Sequence, residues 1–396
     1  MSDQELLIPE GSVLVHIGPY KTGTTAIQAS LGVHRDDLAA HGVLYPGRDS
    51  RQFRPGWGLL GRSPVGVPPV PMAEWDALVE EVRGADAKRV CISTEDLVSL
   101  GPAKVQKLVD DLGPEKVHMV VVARGLDRLL PSAWQQRVKS SNEVRSYDQW
   151  LREVLTKDTE SAAARTFWHN HGLQEMFERW RAPLPVEQTT VIVADETDRT
   201  QLHRVFERLL GLPEGLLQPG PRDNSSLTFD RVELYRRVNA AFDERGWSDA
   251  VRRQLIHRGM LNGLRRAPRA GTDLPIPPLP AWAAELVAEL SGARVEAVAT
   301  SGARIVGDPE SLRFVPADHA ADIGEPPAVV SIDTAALAVE ELVHAALKRE
   351  KRAVRAAARR QRSAARAARG QLVEATSSKE LLREVARRQR RRLRRS

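Results

Sequence analysis

Short apolar runs alternate with amphipathic stretches along the first two hundred residues. Residues 13–17 (VLVHI), 42–46 (GVLYP), 88–93 (KRVCIS), 117–123 (VHMVVVA) and 190–194 (TVIVA) each read as a short buried strand. Ile27, Leu31 and Leu38 lie on one side of a helix that ends near His41 and Gly42. Residues 74–82 suit a second helix, and Val105, Leu108, Val109 and Leu112 mark a third at i, i+3, i+4, i+7 spacing. Residues 127–138 predict a fourth whose start Pro131 limits, and Leu202, Val205, Phe206, Leu209 and Leu210 outline a fifth. Strands that are apolar throughout, separated by such helices, predict an α/β fold: three layers, α/β/α, around a central parallel sheet.

The remainder is less regular. Residues 51–71 are rich in Gly and Pro and read as an irregular segment long enough to be functional. Residues 230–242 and 281–299 suit helices, 274–280 (LPIPPLP) a rigid connector, and 307–312 (GDPESL) the close of the domain. The pattern divides the chain into a domain over 1–325 and an Ala/Arg-rich helical tail over 334–396.

Charge sharpens that division. From Lys348 onward there are 19 Lys and Arg against 4 Glu, a balance of +15, which leaves the remainder at −9 within a total of +6. The basicity belongs to the tail. A solvated helix or coiled-coil arm explains it, as does electrostatic association with a membrane surface or another polyanion. Too few aromatics interleave the arginines to suggest a specific nucleic acid. The lone cysteine, Cys91, allows no disulfide framework and sits in an apolar run. The first residues lack a basic start with an apolar core, and no stretch approaches membrane-spanning length, so the expected location is cytoplasmic, peripheral to a membrane at most.

The chemistry concentrates after the first strand. Residues 18–25 (GPYKTGTT) join a strand to a helix, which aims backbone N–H groups and a helix N-terminus at one point and favours a phosphate-like anion. Gly18 and Gly23 have the spacing of the outer glycines of an ATP-type loop. Thr24 stands where that loop needs its Lys, and the basic residue, Lys21, lies inside the turn. A plain turn into a helix is the simpler alternative. Lys21, Glu95 and Arg124 each follow a predicted strand, so the topology brings all three toward one crevice.

Lys21-Thr22-Gly23-Thr24-Thr25 resembles the 5′-phosphosulfate loop of sulfotransferases that use 3′-phosphoadenosine 5′-phosphosulfate (PAPS), in particular the bacterial carbohydrate-type members. The resemblance implies a P-loop-like sulfotransferase fold and sulfuryl transfer from PAPS to a hydroxyl or amine, with no metal. The acceptor would be a carbohydrate or another cell-made metabolite. It implies that Gly18, Tyr20, Lys21, Thr22, Gly23, Thr24 and Thr25 hold the 5′-phosphosulfate, and that Lys21 offsets charge on the bridging oxygen. An Arg at a strand end with a Ser eight residues on, here Arg124 and Ser132, would hold the 3′-phosphate. Arg222, Asn224 and Ser225 match a late segment that closes over the nucleotide, although an N-cap accounts for them nearly as well. Glu95 matches the family's base, its pKa raised by partial desolvation beside an anionic donor. His16 reads as core. His169 and His171 are candidates for acceptor-side groups or a metal pair, although lone His pairs rarely mark a structural metal site, and 51–71 and 140–170 are the candidate acceptor loops. The cytoplasmic expectation departs from the family's Golgi carbohydrate enzymes. A P-loop nucleotide kinase or phosphotransferase, and a non-catalytic polyanion-binding protein acting through its tail, are the alternatives.

Overall fold

In this computed structural model, residues 6–49, 51–64, 67–156, 160–219, 226–269, 273–316, 325–375 and 378–393 are described. Six parallel strands form one sheet: β1 (Val13–His16), β2 (Val43–Leu44), β3 (Arg89–Ser93), β4 (Val117–Ala123), β5 (Thr189–Val193) and β6 (Arg304–Val306), in the order β2-β3-β1-β4-β5-β6. β1 is interior, with Val15 opposite Ile92 on one side and Met119 on the other. Helices cover both faces, so successive strand residues enter different layers. Val13, Val15 and Ile17 pack with Trp75, Leu108 and Trp180, whereas Leu14 joins Ile27, Leu31 and Phe206 on the opposite face. This explains why the strands read as continuous apolar runs. Fully burying one such Leu or Val contributes about 1.5–3 kcal/mol.

A third apolar cluster draws mainly on helices and takes no residue from a strand. It joins α1 (Leu126–Ser140) to helices Tyr147–Leu155, Phe229–Glu244 and Ala281–Ala299 through Trp134, Trp150, Phe229 and Val287.

Five elements depart from the sequence pattern. The helix expected to end near His41 breaks at His34 into Thr24–Val33 and Arg35–Ala40. Residues 51–71 are not irregular throughout: they contain the helix Phe53–Leu60, whose Pro55 sits in the first turn, where its missing N–H costs nothing. Pro131 does not limit the start of α1 but lies inside it, and the complete burial of Leu129, Leu130 and Trp134 holds the helix across the lost hydrogen bond. Residues 140–170 are not a loop region, since helices Tyr147–Leu155 and Ala162–His171 occupy most of it and bury Trp150 and Phe167. β6 has three half-buried residues at the sheet edge, which gives it no apolar signature.

The last described residues form two helices, α2 (Ile332–Ala375) and α3 (Ser378–Leu393). The first turns of α2 pack on residues 253–266, with Thr334 and Ala338 buried. No described helix is long and apolar enough to cross a membrane.

Candidate functional site

The segment after β1 turns sharply at Gly18, whose φ of +93° suits only glycine, and a Cβ there would lie 3.1 Å from the Glu95 Cβ. The main chain remains tied to both neighbouring strands. Gly18 O accepts from Val122 N at 2.8 Å, and His16 O accepts from Thr94 N at 3.2 Å. The ends of β1, β3 and β4 therefore meet at the turn. Lys21 also adopts a left-handed conformation, φ 71°, and its carbonyl accepts from Arg124 Nη1 at 2.7 Å. Among the described residues, no protein acceptor takes the backbone N–H of any residue from Tyr20 to Thr25. Thr24 opens a ten-residue helix, Thr24–Val33, so those donors stand at a helix N-terminus. Successive free amides at such an end form an anion cradle.

The loop's hydroxyls divide. Thr22 donates to the Pro19 carbonyl at 2.8 Å and is buried, so its side chain serves the turn. Thr24 donates to Glu95 Oε2 at 2.6 Å. Tyr20 donates to Asp96 Oδ1 at 2.6 Å and closes the turn from the other side. Glu95 starts a short 3-10 helix directly after β3. Burial raises its pKa, against which the Thr24 hydrogen bond acts, and neighbouring Asp96 adds to the rise. Lys21 is shifted downward, first by burial and then by the charges of Arg265 and Arg124, with Glu95 opposing.

Arg124 follows β4 directly. Its Nε and Nη2 meet Glu196 at 2.5 and 2.8 Å, and its carbonyl accepts from the buried Arg294 at 3.0 Å. Ser132 lies on α1, half-buried and with no side-chain hydrogen bond among the described residues. The fold thus brings Lys21, Glu95 and Arg124 together at the carboxyl ends of β1, β3 and β4. In this conformation, however, an acidic partner that the sequence did not suggest engages Arg124. Arg222, Asn224 and Ser225 lie outside the described residues; just beyond them, the Leu227 carbonyl accepts from Gln135 on α1 at 3.1 Å.

That contact leads to a second feature the sequence reading missed. Ser132, Gln135 and Lys139 recur at i, i+3, i+7 on α1, a polar stripe along one side of the helix. Lys139 is 9 % exposed, and its ammonium donates to Gln135 Oε1 at 2.9 Å. Burial, with the charges of Lys21 and Arg265 adding, brings its pKa down to about 7. His257 approaches its carbonyl at 3.0 Å, and burial lowers the pKa of that histidine too. Lys21, Lys139 and Arg265 thus make a cationic cluster in which Glu95 is the acid acting on Lys21.

His16 is core, hydrogen-bonded to Ser93 at 2.8 Å, its pKa lowered by burial to about 3. His171 is likewise buried, so it is no acceptor-side group, whereas His169 is half-buried near the Ser99 carbonyl. A groove of about 350 Å³ opens there, lined by Leu60, Arg62, Ser99 and Lys104. The charge of Arg62 acts on Asp96 and Tyr20. Among the described residues, no three His, Cys, Asp or Glu gather closely enough to hold a metal ion.

No family model and no curated protein matches the sequence. Among solved structures, the chain is similar to a crystal structure of a sulfotransferase from Alicyclobacillus acidocaldarius. The identity is 18% and the TM-score 0.38, covering 65% of this chain and 99% of that one; a likeness so distant carries no functional argument.

Proposed function

We propose that this chain is a PAPS-dependent sulfotransferase acting on a hydroxyl or amine acceptor, with a carbohydrate favoured. The single observation that supports it most is the junction of Lys21 and Arg124, where a cradle of unpaired amides meets a strand-end arginine through one 2.7 Å hydrogen bond. When bound, PAPS supplies the sulfuryl group. The amides of residues 20–25, with the Lys21 ammonium and the Thr25 hydroxyl, would hold the 5′-phosphosulfate and offset charge as it develops on the leaving phosphate. Arg124 and Ser132 would hold the 3′-phosphate, with Glu196 swinging clear. Arg222, Asn224 and Ser225 remain candidates for closure over the nucleotide. Glu95 would accept the acceptor's proton, a role suited to a half-buried carboxyl whose pKa is raised. The groove beside Arg62 and Ser99 would give the acceptor an approach from the side of residues 51–71.

Thermal unfolding with 3′-phosphoadenosine 5′-phosphate (PAP), compared with ATP and magnesium, tests this reading. A bound ligand at a hundred times its Kd adds about 2.7 kcal/mol of stability. PAP is expected to raise Tm where ATP does not. A shift with ATP–magnesium alone would overturn the reading in favour of a phosphotransferase.

A further inference from the structure

One face of α2 changes chemistry along its length. In its first turns the inward positions are Thr334 and Ala338, both buried, then Glu341, paired with Arg266, and Ala345. This face lies so close to residues 253–266 that a Cβ on Gly263 would sit 2.3 Å from the Leu337 carbonyl, and one on Gly259 would sit 2.8 Å from the Ala345 Cβ. At the same alternating steps of three and four, the face continues past the body as Lys348, Arg352, Arg355, Arg359, Arg362 and Arg366. A 3.5-residue interval keeps a nearly straight stripe on a helix, so the cations follow one another every ~5 Å over about 27 Å. All six are exposed, and none forms an ion pair among the described residues. Residues 253–266, which seat the helix, also carry Arg265, whose charge reaches Lys21 and Lys139.

We propose that this ridge is a binding track for an acidic polysaccharide, which it leads toward Arg265, Lys139 and the Lys21 loop. A bilayer fits poorly. The exposed aliphatic stripe Val339, Val343, Leu347 and Val354 lies on another side of the helix and is interrupted by Glu350, so a membrane that took it up would leave the ridge in water. A nucleic acid fits poorly too, because no Phe, Trp or Tyr occurs after Phe314 to stack on a base. A saccharide chain with regularly spaced carboxylates needs only the cations, and its hydroxyls are acceptors for the proposed reaction. Only the naming of this polymer as the acceptor rests on the sulfuryl-transfer reading; the track is testable without turnover.

The experiment uses the full-length chain and a labelled alginate oligosaccharide, with fluorescence anisotropy read across a salt series. Two variants lose the same charge: Arg355→Gln with Arg359→Gln on the ridge, and Arg349→Gln with Arg360→Gln about 100° round the helix from it. Gln preserves helix propensity. The on-ridge pair is expected to weaken binding about tenfold near 0.1 M salt and to lower the log–log salt slope by about two, the off-ridge pair less than about twofold. Equal losses in the two pairs, or none, would overturn the track. So would tighter binding to oligo(dT) of matched charge or to phosphatidylserine vesicles. The PAP-induced Tm shift, measured on all three proteins, separates the two proposals. Its absence with ridge-dependent alginate binding sinks the nucleotide reading alone, and the reverse result sinks the track alone.

Discussion

Replacing Lys139 with Met is expected to stabilise the protein in acid and to weaken anion binding at the loop. The ammonium is buried, donates to one amide oxygen, and has its pKa brought from 10.5 to about 7 by burial and by the charges of Lys21 and Arg265. In the unfolded chain this lysine binds its proton up to its ordinary pKa, so between the two values the unfolded state holds more protons. Its presence therefore costs nothing above the ordinary value, costs progressively more as pH falls, and costs most below about 7. At 1.36 kcal/mol per unit, the full difference corresponds to about 5 kcal/mol at pH 6 and about 2 kcal/mol at pH 9. Urea unfolding of both proteins at these two values is the assay, with other titrating groups cancelling in the comparison. The variant should be the more stable by several kcal/mol at pH 6, with a gap smaller by about 2–3 kcal/mol at pH 9. A gap that does not change with pH would refute the reasoning, because it would mean that the ammonium is solvated. PAP should also give a smaller Tm shift on the variant, because the anion no longer meets that cation.

Further outcomes follow from the crevice. Lys21→Ala should lower turnover about 10²–10³-fold and abolish the PAP shift, while the far-UV circular dichroism stays unchanged. Glu95→Gln should retain PAP binding and lose about 10²–10⁴-fold in turnover. Because burial raises the Glu95 pKa, the wild-type rate should climb with pH through a midpoint above the ordinary 4.5, and the variant should lack that limb. Glu196→Gln releases Arg124 from a half-exposed ion pair worth no more than about 1 kcal/mol, so calorimetry should find PAP bound up to about fivefold more tightly. Gly263→Ala drives a methyl into the Leu337 carbonyl, and hydrogen exchange should quicken in residues 332–347 while β1 and β4 stay protected.

Most of the sheet was legible because its strands are buried on both faces, which leaves runs such as 117–123 apolar throughout. β6 was not, since three half-buried edge residues look like any loop. Helix Phe53–Leu60 hid behind its own Pro and Gly, which local propensity penalises and tertiary packing overrides. At the crevice, Lys21, Glu95 and Arg124 could be found because each follows its strand directly. Glu196 and Arg265 could not, since only the folded topology brings them to residues so far away in the chain. The Lys139 position was readable in principle from its spacing to Ser132 and Gln135.

The Arg294 guanidinium, carried by helix Ala281–Ala299, grips the carbonyls of Arg124 and His171, 170 and 123 residues earlier. During synthesis, the glycine turn and its arginine emerge long before the clamp that fixes them. A nascent protein halted at the midpoint therefore has Lys21, Arg124 and Ser132 but lacks the fastening for Arg124, and competence should arrive late and abruptly as the ribosome passes this position.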